Sequence, residues 1–199
     1  MSSRLVWCTL GGMNSHLHWN EIHRVVEYEG PIFTLERSRQ RSADGRVGEY
    51  VLVNSPDWVN VISTVCDNSG CECFLMVRQF RHGSGRTQLE FPGGLVDPDE
   101  AAESAALREL TEETGYHVGP AGLQELGRTN PNPAFMCNIV HTFYAPQVHR
   151  SGSQSLDANE IVDVHLVPVD DILAERRPEF SGHAIMLAAL HWWRLHTGR

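Results

Sequence analysis

The sequence lacks three features that would place it in other classes of protein. No apolar run approaches the roughly 20 residues of a transmembrane helix, so we predict no membrane span. Only 16 basic side chains stand against 25 acidic ones, and the net charge of −9 gives the chain no general attraction for nucleic acid or anionic lipid. The N-terminus carries one arginine and a short, interrupted apolar patch, so we predict no secretory signal.

Cysteine is scarce and irregularly spaced. An odd number of cysteines without regular spacing argues against a disulfide framework. The segment around residues 67–70 is turn-like, and the spacing of the cysteines beside it is not C-x-x-C, so we assign them to paired strands rather than to a zinc site. We therefore expect a reduced, cytoplasmic protein. The five cysteines are Cys8, Cys66, Cys71, Cys73 and Cys137.

Strand-forming segments fill most of the first half of the chain, and one clear helix follows. Asp44-Gly45 predicts a hairpin, and two apolar strands flank the turn at 67–70. A helix is predicted over residues 98–114, and the tail from residue 183 has apolar residues at helical spacing. With neither internal repeats nor low-complexity segments, this order of strands and helices predicts an α+β fold with a mixed sheet between helices.

The predicted helix has explicit end signals. Asp97 stands at the N-cap position, Pro98 at the first helical position and Glu100 three residues after the cap. Gly115 supplies a left-handed stop at the other end. We therefore expect the helix to span residues 98–114.

Three glutamates crowd the C-terminal half of this helix. At 100° per residue, Glu109, Glu112 and Glu113 fall within an arc of about 100°. One interpretation is an ordinary solvated acidic face. However, like charges four residues apart cost a few tenths of a kcal/mol, and these acids continue the alanine side of the helix. The second interpretation is therefore a cation site, for which carboxylate oxygens favour Mg²⁺ or Mn²⁺.

The spacing over residues 94–116 resembles the Nudix box, G-x5-E-x7-R-E-U-x-E-E-x-G-U, where U is a bulky apolar residue. Every fixed position matches, from Gly94 and Glu100 to Gly115 and Tyr116. The resemblance implies the Nudix fold, an α/β/α sandwich around a mixed sheet. It also implies hydrolysis of a nucleoside diphosphate linked to another moiety.

The same resemblance implies a role for each matching residue. Glu109 and Glu113 would be the main ligands of Mg²⁺ or Mn²⁺, and the backbone carbonyl of Gly93 would add a further ligand. Glu112 would be a ligand or a group that positions water. The residues expected to orient the helix and the metal-bearing side chains are Arg108 and Glu100.

Segments outside the box resemble the ADP-ribose pyrophosphatase branch of the family. That branch is commonly a homodimer whose N-terminal strands contribute to the partner's substrate site, so we divide the chain into an N-terminal β region, 1–57, and a hydrolase domain, 58–199. Substrate binding is implied for Arg81, with Arg78 and Glu90 in the matching segments. The alternative is that the two arginines merely end a strand.

A proline after the box is a further marker of the branch, and here the match is imperfect. Pro131 lies sixteen residues after Gly115, the distance that the marker expects. The local motif fits best at Asn132-Pro133-Ala134, but Asn138 stands where the branch has an acid. The resemblance therefore implies substrate binding by Pro133 while leaving the sugar nucleotide open, with a GDP-hexose as one alternative to ADP-ribose.

The general base in this branch often lies on a late acidic loop. Glu160 is our first candidate and Asp157 the second, the alternative being two solvated surface acids. We predict a Mg²⁺- or Mn²⁺-dependent enzyme that splits ADP-ribose or a related nucleoside diphosphate sugar into a nucleoside monophosphate and a sugar phosphate. The alternatives are a nucleoside triphosphate pyrophosphatase and a non-catalytic, nucleotide-sensing module.

Overall fold

The computed structural model describes residues 15–199, which form two compact units. The described part of the first unit is residues 15–55 with 134–137, and the second unit is residues 56–133 with 138–199. Cys8 and the segment considered for a secretory signal lie outside the described residues. Among residues 15–199, no helix has both the length and the apolar character that crossing a membrane requires.

The first unit is a three-stranded antiparallel sheet in the order β1-β2-β3. The predicted hairpin joins the second and third strands, and Gly45 adopts a φ of 89° in its turn, a conformation that costs glycine little. This sheet is the antiparallel β extension expected from the sequence. Its elements are a 3₁₀ turn at Ser15–Leu17, β1 (Trp19–Glu29), β2 (Thr34–Ser42) and β3 (Val47–Asn54).

The second unit contains eight strands and four helices. Its strands are β4 (Trp58–Cys66), β5 (Glu72–Arg81), β6 (Arg86–Glu90), β7 (Tyr116–Val118), β8 (Gln124–Thr129), β9 (Val140–Ala145), β10 (Val148–Arg150) and β11 (Val162–Pro168). Its helices are α1 (Ala102–Thr114), α2 (Val169–Leu173), α3 (Pro178–Ser181) and α4 (Ala184–Thr197).

The main sheet of the second unit is mixed, as predicted. Its strand order is β11-β5-β4-β9-β8, with β6 paired to β5. Strands β4 and β9 run parallel, whereas the other pairs are antiparallel. Strands β7 and β10 form a separate antiparallel pair.

Apolar side chains cover both faces of this sheet, because successive side chains along its central strands point alternately into two hydrophobic cores. Phe74 and Met76 of β5 join a cluster that contains Trp193 of α4. Leu75, between them, joins a second cluster with Leu110 of α1. Helix α1 therefore covers one face and the C-terminal helices cover the other, which is the α/β/α sandwich expected from the sequence.

The helix with the glutamates begins four residues later than predicted. Asp99 adopts a left-handed φ of 65°, and the Glu100 N–H bonds to the Asp97 carbonyl at 3.1 Å, so these residues form a turn. The N-cap residue is Ala101, without a side-chain cap. The assignment of Asp97 as N-cap was wrong, because the turn displaces the start of the helix. Gly115 ends the helix with a φ of 71°, as predicted.

Candidate metal and substrate site

The loop after β6 lies directly against the central strand β4. Backbone bonds join Val59 N–H to the Gly94 carbonyl and Val61 N–H to the Pro92 carbonyl, at 2.9 and 2.8 Å. A Cβ at Gly93 would collide with the carbonyl of Val59. Glycine at this position therefore lets the loop pack on the strand and aim its amide at helix α1.

Glu113 receives that amide deep inside the second unit. Its side chain is 1% exposed, and Oε2 accepts the Gly93 N–H at 2.8 Å. The pKa of Glu113 is raised to about 8, chiefly by burial and also by the nearby acids Glu109 and Glu160, while the Gly93 bond and Arg81 oppose the shift. Ionisation of this carboxylate at neutral pH is therefore favoured by a nearby positive charge.

Glu109 lies one turn earlier, against the next glycine of the loop. A Cβ at Gly94 would meet its carboxylate, so any other residue there would displace the Glu109 carboxylate from this position. Burial raises the pKa of Glu109, opposed by a hydrogen bond and charge from Arg108. Glu112 is more open, with its side chain 41% exposed. The exposure of the three glutamates therefore increases from the buried Glu113, through Glu109, to the half-exposed Glu112.

Arg108 connects the glutamates to the start of the loop. Its Nη1 donates to Glu109 Oε1 at 2.8 Å and to Glu112 Oε2 at 3.2 Å. Its Nε and Nη2 donate to the two oxygens of Glu100 at 3.1 and 3.0 Å, and Nη2 also donates to the Leu95 carbonyl. The pKa of Glu100 is lowered, chiefly by these bonds. The structure thus places Arg108 and Glu100 where they orient the helix.

The late acidic loop is attached to the C-terminal end of α1. Gln154 Nε2 donates to the carbonyls of Glu113 and Val162 at 2.7 and 2.9 Å, and Ser155 N–H donates to the Glu112 carbonyl at 2.9 Å. These bonds bring Glu160 close enough to raise the pKa of Glu109 and Glu113.

Asp157 lies on the same loop but is exposed, and its carbonyl accepts the Glu160 N–H at 2.9 Å. Gln154 escaped sequence analysis because an isolated polar residue in a loop carries no periodic signal.

Arg81 and Glu90 form a two-bond pair next to the glutamates. Glu90 is 1% exposed and accepts Arg81 Nε and Nη2 at 2.8 and 2.5 Å. The charges of Glu113 and Glu160 also stabilise the protonated form of Arg81 and so contribute to its raised pKa. His183 Nε2 lies 3.6 Å from Glu90 Oε1, and burial lowers the pKa of this histidine. His183 was not predicted, because its contact spans 93 residues of sequence and its segment resembles an ordinary core helix.

The remaining candidates lie at differing places. Arg78 pairs with Glu179 at 3.4 Å. Pro133 is exposed in the loop between β8 and β9, and it takes part in none of the hydrogen bonds described above. Asn138 is buried, and no hydrogen-bond partner for its amide group exists among the described residues. The structure therefore gathers Gly93, the box glutamates, Arg81, Glu90 and Glu160, but it does not tie Pro133 or Asp157 to them.

Chemically, this arrangement combines hard oxygen donors with an oriented guanidinium. Carboxylates and a backbone carbonyl suit Mg²⁺ and Mn²⁺, whereas a guanidinium suits an anionic or hydroxyl-bearing substrate. The site can thus accommodate a negatively charged ligand in a chain of net charge −9.

Comparisons with known proteins agree with this geometry. The family model described as the NUDIX domain matches residues 57–190. A solved structure of an ADP compounds hydrolase superimposes with a TM-score of 0.74, covering 91% of this chain and 96% of the other at 23% identity. The predicted fold is therefore confirmed.

Two curated relatives are similar in sequence. The ADP-ribose pyrophosphatase of Bacillus subtilis (strain 168) is 31% identical over 147 residues, which are 73% of this chain and 76% of the relative. The ADP-sugar pyrophosphatase of Mus musculus is 48% identical over 81 residues, which are 38% of this chain and 37% of the relative. These similarities confirm the resemblance to the Nudix family and to its ADP-ribose pyrophosphatase branch.

Proposed function

The chain belongs to the Nudix hydrolase family, and from that premise we propose that it hydrolyses the pyrophosphate bond of ADP-ribose or a related nucleoside diphosphate sugar. The products are a nucleoside monophosphate and a sugar phosphate. The observation that carries the proposal is the convergence of Glu109, Glu112 and Glu113 with the glycine loop, beside Arg81. The names of the two relatives support the substrate class.

The donor set fits Mg²⁺ or Mn²⁺. Glu113 is buried near two other acids, and a bound cation would stabilise its ionised carboxylate. Glu109, Glu112, Glu113 and the carbonyl oxygen of Gly93 would hold the metal. When bound, the metal would neutralise charge on the phosphoryl oxygens and lower the pKa of water. Arg108 keeps two of these carboxylates in place.

Glu160 supplies the base in this proposal. A water oxygen attacks one phosphorus, the bond from that phosphorus to the bridging oxygen breaks, and a Glu160 carboxylate oxygen accepts the water proton. The support is electrostatic proximity to Glu109 and Glu113, which the attachment of the loop through Gln154 maintains. Asp157 is the second candidate.

Arg81 orients the substrate in this proposal. Glu90 occupies Nε and one edge of Nη2, which fixes the plane of the guanidinium and leaves other N–H groups to donate to a phosphate or ribose oxygen. Glu90 then acts on the substrate through Arg81. Arg78 and Pro133 are outer contacts to the same substrate, and Arg78 is positioned by Glu179.

The test is a substrate panel with product identification. The purified chain is incubated with ADP-ribose, other nucleoside diphosphate sugars including a GDP-hexose, and nucleoside triphosphates, with Mg²⁺ or Mn²⁺ and with a chelator. We expect monophosphate and sugar phosphate from at least one sugar nucleotide, and heavy-oxygen water identifies the attacked phosphorus. Pyrophosphate released from triphosphates alone would indicate the sanitising activity, and no turnover of any compound would indicate a sensing module.

A homodimer is the proposed assembly. Strand β1 exposes apolar side chains along its length, and exposed apolar surface of this kind is typical of protein–protein interfaces. The residues concerned are Ile22, Val25, Val26 and Tyr28. Light scattering after size exclusion should give twice the chain mass. The four described cysteines are free, which supports a reduced, cytoplasmic setting.

A further inference from the structure

A second group of metal-ligating side chains lies at the turn between β4 and β5. One ligand atom each from Asp67, Cys71 and Cys73 lies within 4.8 Å of the other two. The strands themselves pair Cys66 with Glu72 and Cys73 with Val65, so no two of these cysteines face each other across the ladder. The glutamate site uses none of these residues.

The turn holds its aspartate in one orientation. Oδ1 of Asp67 accepts three hydrogen bonds: from the Ser69 N–H at 2.8 Å, the Ser69 hydroxyl at 2.7 Å and the Cys71 N–H at 2.9 Å. The Asp67 N–H in turn donates to the Cys71 carbonyl at 2.9 Å. The turn therefore fixes the carboxylate relative to the backbone of Cys71, whose Sγ donates to the Glu72 carbonyl at 3.7 Å.

Strand β5 fixes the second sulfur. Cys73 is 1% exposed and lies in the paired part of the strand, whereas Cys71 precedes the strand and is exposed. The three ligands therefore form a half-open site, in which Cys73 is buried, Asp67 is partly buried and Cys71 is exposed. An ion can enter such a site without unfolding the strand.

Two of the three proposed ligands have shifted pKa values. The pKa of the Cys73 thiol is raised to about 11, chiefly by burial and also by Cys71, Asp67 and Cys66. The hydroxyl and amide donors of Ser69 and Cys71 lower the pKa of Asp67. A metal ion reverses the first effect, because coordination removes the proton of a thiol outright.

In contrast to the assignment made from the cysteine spacing, we propose that Asp67, Cys71 and Cys73 form a binding site for a thiophilic divalent metal ion such as Zn²⁺. Two sulfurs and one oxygen are a donor set that Zn²⁺ accepts in four-coordinate sites, with Cys66 or water as the fourth ligand. Mg²⁺ and Mn²⁺ prefer oxygen, so the two metal sites of the chain differ in the ions that they select. An ion here would tie the end of β4 to the start of β5.

The first experiment is a metal titration of the whole chain. Zn²⁺ and Cd²⁺ are added to reduced protein in saturating Mg²⁺, with a reductant that contains no thiol. We expect one equivalent of Zn²⁺ to bind, and Cd²⁺ to produce the ultraviolet charge-transfer absorption of cadmium thiolate. Cys71→Ser should weaken binding by at least about 100-fold, because even outer partners of metal ligands are worth roughly 10- to 100-fold.

The control variant is Cys137→Ser, which removes an exposed cysteine from the other unit and should bind normally. Cys66→Ser identifies the fourth ligand: weaker binding assigns it to Cys66 and unchanged binding to water. Absence of the charge-transfer band, or equal binding by Cys71→Ser and wild type, would overturn the proposal. So would thiols that form a disulfide but bind neither metal.

Thermal unfolding provides a readout that does not depend on activity. At a hundredfold excess over its Kd, Zn²⁺ should raise the Tm of wild type by roughly 5–10 °C and leave that of Cys71→Ser unchanged. Because Cys71 is exposed, this variant should keep the fold even if Cys73→Ser does not. An equal shift in both proteins would assign the stabilisation to another site and contradict the proposal.

Discussion

Glu90 and Glu113 are equally buried, each 1% exposed, but their surroundings differ. Glu90, at the end of β6, accepts two hydrogen bonds from Arg81. Glu113, on α1, accepts a backbone N–H from Gly93 and lies among acids that raise its pKa. A buried carboxylate costs several kcal/mol unless it is paired. Arg81 pairs directly with Glu90, whereas no described residue forms an ion pair with Glu113, and in the proposed function a metal ion supplies that positive charge.

The largest change in activity should come from Glu113→Gln, which removes the carboxylate that has no ion-pair partner. The amide keeps the shape of the side chain but removes the charge that would hold Mg²⁺, so turnover of the best sugar nucleotide should fall by more than roughly 100-fold. The measurement is steady-state product release at saturating Mg²⁺. Glu103→Gln, an exposed change on the same helix, is the matched control, and normal turnover by Glu113→Gln would show that the metal assignment is wrong.

Glu160→Gln should reduce kcat by about 100-fold, at the low end for loss of a general base. Asp157→Asn, on the same loop but exposed, should change kcat less than about threefold. Single-turnover rates at fixed pH separate the chemical step from product release. If Asp157→Asn gives the larger loss, the two candidates exchange roles.

Arg81→Gln should turn Glu90 into a second carboxylate without a cation. We expect the free energy of unfolding to fall by about 1–3 kcal/mol, because the buried Glu90 carboxylate loses both hydrogen bonds from the half-exposed Arg81, and KM to rise. The double variant Arg81→Gln/Glu90→Gln should recover most of the stability but not the KM. Denaturant unfolding and kinetics on the same samples check this. If Arg81→Gln is as stable as wild type, Arg81 does not stabilise the buried carboxylate of Glu90.

Per pH unit, the smallest of these effects is the pH dependence of stability in chelator-treated protein. The pKa of Glu113 is raised to about 8 in the folded chain and lies near 4.3 in an unfolded one, so the folded state binds an extra proton between these values. Its contribution to stability is complete below pH 4 and is lost as pH rises towards 8, with a slope on the order of 1 kcal/mol per pH unit.

Urea titrations at several pH values, taken as the difference between wild type and Glu113→Gln, isolate this one group. The difference should vanish near pH 4 and grow towards pH 8. A difference that is constant with pH would show that Glu113 is already ionised in the metal-free protein.

The sequence predicted the parts of the site that depend on short-range spacing. Glu109 and Glu113 share a helix face because they are four residues apart, and the glycines at 93 and 94 precede that helix at a fixed distance. The strands around residues 67–70 and the tail helix followed from apolar periodicity. The start of α1 was missed because Asp99 adopts a left-handed φ of 65°, which displaces the start of the helix even though Glu100 Oε2 accepts the Asp97 N–H as in a capping box.

Sequence alone therefore determined the family, the α+β class and the identity of the clustered acids, because these depend on spacing along one helix and along single strands. Tertiary structure decided which acids have a cation in the chain, how Gln154 attaches the late loop to α1, and that His183 lies beside Glu90. It also placed Asp67 next to two thiols. These contacts join residues on different elements, so burial and packing, rather than periodicity, fix their charges.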